Sequence, residues 1–299
     1  MRADGERTAL TAFVACTFAV ATNPIAVRFS NRELAPLWGA GLRFGIAALI
    51  LVGLMVVLGL APPRGRVLAG TILFGVLNFA AAVGLAYYAL VHVHAGFGQI
   101  VFALVPLAAL LLAALQGQER ISVRPIAGAV LAMVGVAALS EAPLRADVPP
   151  LALLALGVSL ICVAQAAVMV RRLPPMHPIT MNAVGSAAAA AILLPVSLLV
   201  GESPEVPPDA TTWFALWYLV LIGSLVMVML YLVVLARWEA SRAAYVFVLS
   251  PFLTLILSAW LDNEAIGASL FLGGFLILAG VYVGALRPRA LRVEAVPAP

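Results

Sequence analysis

Apolar residues run along this chain in long, nearly unbroken stretches, and the polar and charged positions fall between those stretches rather than alternating with them. Runs of about 20 apolar residues match the helix length needed to cross a hydrocarbon core about 30 Å thick. A transmembrane barrel would instead alternate outward and inward residues over segments of about ten. Because a helix closes its backbone hydrogen bonds within one segment, lipid selects helices for such runs. The pattern predicts ten of them, at approximately 8–28, 35–60, 67–90, 95–116, 124–140, 150–171, 178–200, 212–236, 241–261 and 266–286. The fifth is short for a full span. The first exceeds the apolar core of about 7–15 residues typical of a signal peptide, and further spans follow it, so it reads as an uncleaved helix.

Composition agrees with a bilayer as the solvent. Hydrophobic residues make up 64% of the chain and charged ones 10%, against about 25% charged in soluble domains. The net charge of +4 does not signal nucleic acid, because all 17 basic residues are arginines scattered in ones and twos without a basic stripe. Their distribution instead sets an orientation. With the N-terminus in the cytoplasm, that side holds 13 arginines, from Arg2 and Arg7 to Arg292, and the other side holds Arg28, Arg32 and Arg145. Such a bias marks the cytoplasmic face and predicts that both termini lie there. Arg43 is the one charge within a predicted span. Seven residues from Pro36, it can snorkel to the interface, and a structural role is expected of it.

Shifting the chain by 145 residues lays 101–136 on 246–281 without a gap and gives 13 identities in 36 positions. Chance in a composition this rich in Ala, Leu and Val gives roughly one in ten. The chain is therefore expected to hold two units, 1–145 and 146–299, of five helices each. An odd number of helices makes the second unit enter the membrane from the opposite side, so the fold class is an all-α integral membrane protein of two inverted repeats. Inverted repeats characterise secondary transporters, in which two oppositely oriented copies open a shared site to either face.

A helix with a proline, a polar turn with Glu and then Gly-x6-Gly occurs twice, as Pro106, Glu119, Gly128, Gly135 and as Pro251, Glu264, Gly273, Gly280. This pattern resembles the EamA repeat of the drug/metabolite transporter superfamily. The resemblance implies ten helices, cytoplasmic termini, a plasma (inner) membrane location and export of small metabolites. Length and layout are similar to the YddG aromatic amino-acid exporters, although no motif separates that subgroup from other EamA exporters. Gly185 stands where Arg43 would recur on a Pro36/Pro178 alignment, so the repeat does not extend to that charge.

Candidate chemistry is sparse. Pro106 and Pro251 fall near the middle of helices 4 and 9, free the carbonyls of Phe102 and Phe247, and are expected to act as hinges. Uncharged polar residues at membrane depth are Asn23, Asn78, Gln99, Gln165, Asn182, Tyr231 and Ser250. Of these, Asn78, Gln99, Gln165, Tyr231 and Ser250, with Phe102 and Phe247, are the expected substrate contacts. Tyr87, Tyr88, Trp217, Tyr218 and Tyr245 lie toward helix ends, as an interfacial aromatic belt does. The cysteines Cys16 and Cys162 read as small buried hydrophobes. His92, His94 and His177 stand at no metal-ligand spacing, and no catalytic residue, metal or cofactor is expected. The expected partners are a small-molecule substrate, an amino acid or similar metabolite, and the lipid bilayer. A carrier is the primary reading; the alternatives are an intramembrane enzyme acting on a lipid-linked substrate and a permeation channel.

Overall fold

The structure, a computed structural model, describes residues 2–92, 101–139, 149–207, 209–261 and 268–286. Ten helical units follow one another along these residues. They are α1 (Arg2–Ser30), α2 (Pro36–Val57), α3 (Gly65–Gly75, then Val76–Ala81 and Ala82–His92), α4 (Val105–Leu115) and α5 (Val123–Leu139). The second set is α6 (Pro150–Val170), α7 (Pro178–Leu199), α8 (Ala210–Tyr218, then Leu219–Val226 and Met227–Leu235), α9 (Val246–Leu261) and α10 (Ala268–Val281, then Tyr282–Leu286). No strand occurs among the described residues. Among the described residues, five helical stretches are long and apolar enough to cross a membrane, namely Pro36–Val57, Gly65–Ala89, Pro150–Val170, Pro178–Leu199 and Ala210–Leu235. Large apolar side chains such as Leu49, Val56, Leu115, Leu199, Phe214 and Phe275 are exposed on the outer faces. Lipid rather than water suits such a surface.

Repeat-related helices start and stop by the same chemistry. Pro36 and Pro178 stand in the first turns of α2 and α7, where the missing N–H is unneeded. Gly59 and Gly201 follow their C-termini at φ of 63° and 85°, conformations that glycine adopts without strain. Leu60 N–H then reaches the Met55 carbonyl at 2.9 Å and Glu202 N–H the Ser197 carbonyl at 3.0 Å, the closing bonds of a Schellman cap.

The symmetry extends into the spans. α3 widens to a π-helical segment at Val76–Ala81 and α8 does so at Leu219–Val226. The shift of 145 residues carries the first onto 221–226, inside the second. Repeat mates also pack on each other, α2 against α7 and α5 against α10. A Cβ on Gly75 would fall on the backbone of Gly185, so α7 uses the counterpart of Arg43 for a close crossing with α3.

The expectation that both prolines interrupt continuous helices holds only for Pro251, which lies inside α9. The chain already turns at Ala103 and Leu104, and Pro106 therefore sits in the first turn of α4, where proline costs little. In the second copy the corresponding break comes earlier, at Ala244 and Tyr245, after the short helix Ala240–Ala243.

Candidate functional site

Two of the expected aromatic contacts, both in the second copy, meet, and Phe102 of the first copy packs against the same apolar cluster. Tyr231, on α8 just past its π segment, meets Phe247 of α9 edge to face with ring centroids 5.8 Å apart. Phe102 and Phe247 both pack against the apolar cluster that contains Tyr231. Phe102 also reaches a second cluster formed by Ala89, Ala152, Ala155 and Leu156. The hydroxyl of Tyr231 is buried without a hydrogen-bond partner among the described residues. Such a group in a dry interior is costly unless something else bonds it.

The expected polar contacts divide. Asn78 is half-buried in the π segment of α3, between Leu77 and Phe79. Ser250 turns onto its own helix, donating to the carbonyl of Phe247 at 3.3 Å. That is the carbonyl which Pro251, four residues on, leaves without a backbone donor. Gln165 is engaged elsewhere: its Oε1 accepts from Gln116 Nε2 at 2.8 Å, at the C-terminus of α4. Gln99 lies outside the described residues.

A polar cluster that the pattern of the chain did not assemble surrounds Arg43. The side chain does not snorkel: the residue is 4% exposed and its guanidinium is turned into the bundle. Nε donates to Ser224 Oγ at 2.7 Å and Nη1 to Asn23 Oδ1 at 3.3 Å. Tyr87 of α3 faces the same guanidinium. Ser224 lies in the π segment of α8 and is held from α7, because Asn182 Nδ2 donates to its carbonyl at 2.7 Å. Ser186 Oγ in turn donates to Asn182 Oδ1 at 3.2 Å. The one sequence signal was Arg43 itself, a lone charge within a span, together with Asn23 and Asn182 at membrane depth.

The aromatic belt is only part of the story for the tyrosines. Tyr88 and Trp217 are exposed as a belt requires, and Tyr218 is half-buried and bonded to Thr22 at 2.6 Å. Tyr87 and Tyr245 are instead buried, and the Tyr245 hydroxyl donates to the Pro125 carbonyl at 3.0 Å. Their positions near helix ends did not reveal which way the rings turn.

At the end of the bundle that carries the α4–α5 loop, polar bonds join the two halves. The Glu119 carboxylate is buried and accepts from the Ser241 N–H at 3.3 Å and from its hydroxyl, capping the short helix Ala240–Ala243. Burial pushes this carboxyl above the ordinary carboxylate range, with the Ser241 bonds opposing the shift. Arg171 donates to the Trp238 carbonyl, and Arg242 pairs with Glu6 at 2.6 Å. At the other end, both oxygens of Glu202 accept from the free N–H groups of α2, at Leu37 (3.1 Å) and Trp38 (2.7 Å). Cys16 and Cys162 are buried and free, and no cluster of three potential metal ligands occurs among the described residues.

Comparison with known proteins agrees with this architecture. The chain matches the model of the EamA-like transporter family twice, over residues 7–140 and 150–285. It is 25% identical over 259 residues to the uncharacterized inner membrane transporter YedA of Escherichia coli (strain K12), covering 86% of this chain and 84% of that one. It is also 25% identical over 275 residues to an uncharacterized transporter of Archaeoglobus fulgidus, covering 86% and 91%. A crystal structure of a protein 19% identical in sequence superposes with a TM-score of 0.80 over 93% of this chain and 98% of that one, which shows a shared fold.

Proposed function

Because the chain belongs to the EamA-like transporter family and is a multi-pass membrane transporter, we propose that it exports amino acids, aromatic ones among them, from the cytoplasm by alternating access. The observation that carries this reading is the meeting of Tyr231 and Phe247 in the cluster that Phe102 also packs against, with a buried hydroxyl that no described residue bonds. Aromatic faces and edges recognise a ring, and Asn78 adds a polar group on the neighbouring α3. The units 1–145 and 146–299 supply one breaking helix each to this place, with Pro106 and Pro251 as hinges between inward-open and outward-open forms. The arginine bias supports cytoplasmic termini.

Transport is facilitated diffusion in this reading. Proton-driven carriers commonly place a carboxylate within the membrane. Among the described residues, carboxylates lie in loops and caps or, as with the exposed Glu6, in the first turns of α1. An arginine does not give up its proton, so Arg43 cannot serve as a relay. A growth screen tests the substrate class. Expression should protect a sensitive host against toxic aromatic amino-acid analogues, and protection against none of a panel of amino-acid analogues would refute the assignment.

A further inference from the structure

Arg43 carries a charge that nothing described in the protein balances. A buried cation is expensive unless an anion is close. Yet its partners Ser224, Asn23 and Tyr87 carry no carboxylate, the Phe44 ring lies 5.3 Å away, and no carboxylate among the described residues lies within ion-pair distance. A strut between helices would need only neutral amides or hydroxyls, which join helices in a bilayer without burying a charge. The surroundings are also shaped for this group. A Cβ on Gly223 would come within 2.7 Å of Nη2, so a glycine at that position of the π segment leaves room for the guanidinium. Ser224 is locked from behind by Asn182, and Asn23 is fixed by its own bond to the Met227 sulfur at 3.5 Å. π segments within helices occur frequently at functional sites.

We propose that Arg43 is the anchor for the carboxylate of the transported molecule, with Ser224 and Asn23 as positioning residues. The planar fork of an arginine suits bidentate recognition of a carboxylate. Ser224, in the π segment, and Tyr231, in the α-helical stretch that follows it, both lie on α8, so one helix carries both the polar and the aromatic part of the place. A carboxylate on Arg43 and an apolar body toward Tyr231, Phe247 and Phe102 describe a monocarboxylate with a hydrophobic side chain. The inference rests on the amino-acid reading above for the identity of that molecule, but the anchor itself is defined by charge alone.

Binding of matched probes to the purified protein separates the two. The probes are L-phenylalanine, 3-phenylpropionate and L-phenylalaninamide, measured by calorimetry with the wild type, Arg43→Gln and Arg43→Lys. The anchor requires that an acid bind the wild type about tenfold or more tightly than the amide, and that Arg43→Gln abolish this preference by weakening the acid alone. Arg43→Lys, which keeps a cation for the fold but loses the fork, should retain a smaller preference, and it carries the test if the glutamine variant does not fold. Binding of 3-phenylpropionate through Arg43 without binding of phenylalanine would uphold the anchor and refute the amino-acid reading. Binding of phenylalanine that both variants weaken equally for acid and amide, or leave unchanged, would refute the anchor and spare the reading. Failure of both acids to bind would overturn both.

Discussion

Gly128 and Gly280 meet backbone to backbone: a Cβ on Gly280 would lie 2.6 Å from the Gly128 carbonyl oxygen, and one on Gly128 would lie 2.7 Å from that of Gly280. Gly135 meets Gly273 in the same way, its Cβ position 2.7 Å from the Gly273 carbonyl oxygen. Since Gly128 is the repeat mate of Gly273 and Gly135 of Gly280, the crossing of α5 and α10 is self-complementary, as an isologous contact is. Alanine at Gly128 or Gly280 should therefore destabilise the protein by about 1–3 kcal/mol through overpacking. Alanine at Gly53, where a Cβ meets nothing within 4 Å, serves as the control. Thermal unfolding in detergent checks this; equal melting temperatures for all three variants would contradict the crossing.

The two prolines should differ in stability while agreeing in function. Pro251 interrupts α9 from inside, so Pro251→Ala restores a backbone bond and should raise the melting temperature, an interior proline costing up to about 3 kcal/mol relative to alanine. Pro106→Ala, in the first turn of α4, should change it little. Both variants should insert normally and slow flux. Unchanged flux in both would remove the hinge from the mechanism.

Much of this arrangement could be read from the chain. Most of the predicted helices coincide with described ones to within a few residues, because long apolar runs ended by Pro, Gly or Arg leave few alternatives, whereas the breaks at Ala103 and Leu104 and at Ala244 and Tyr245 left no such mark; the shift of 145 residues also pairs the glycines that meet between α5 and α10. Side-chain direction was another matter. Arg43, seven residues into α2, could reach the interface or the interior, and only the glycine at position 223 and the hydroxyl of Ser224, 181 residues away, decide between them. The π segments widen helices by one hydrogen-bond register without a residue signature, so Asn78 and Ser224 could not be oriented. Gln165 was placed with the substrate contacts for its polarity, and its bond to Gln116 depends on where α4 ends.

Selectivity should reside in the phenylalanines. Phe102→Ala and Phe247→Ala should each raise the KM for phenylalanine by a factor of about 2–10, from the loss of roughly 0.5–1.5 kcal/mol of ring contact, and should raise that for alanine far less. Uptake of both substrates by reconstituted protein measures this. Equal effects on the two substrates would refute aromatic recognition at this place.

Glu119 should give stability a specific pH dependence. Burial raises its carboxyl in the folded state above its ordinary value of 4.5. A raised acid favours the folded state most when protonated, so its contribution is complete below 4.5 and is lost as pH rises through the folded value. Glu119→Gln stays neutral and lacks this slope. As the pH falls from about 7.5 to about 5, the melting temperature of the wild type should rise relative to Glu119→Gln. A constant difference, or one of opposite sign, would contradict the burial of this carboxyl.

The central claim, a carrier that moves aromatic amino acids down their own gradient, is tested most directly by reconstitution. Proteoliposomes loaded with labelled phenylalanine are followed at equal internal and external pH and again with an imposed pH difference, the membrane potential being clamped. The account predicts saturable efflux that ends at equal concentrations in both conditions. Flux no greater than that of protein-free liposomes, or uphill accumulation driven by the pH difference, would contradict it.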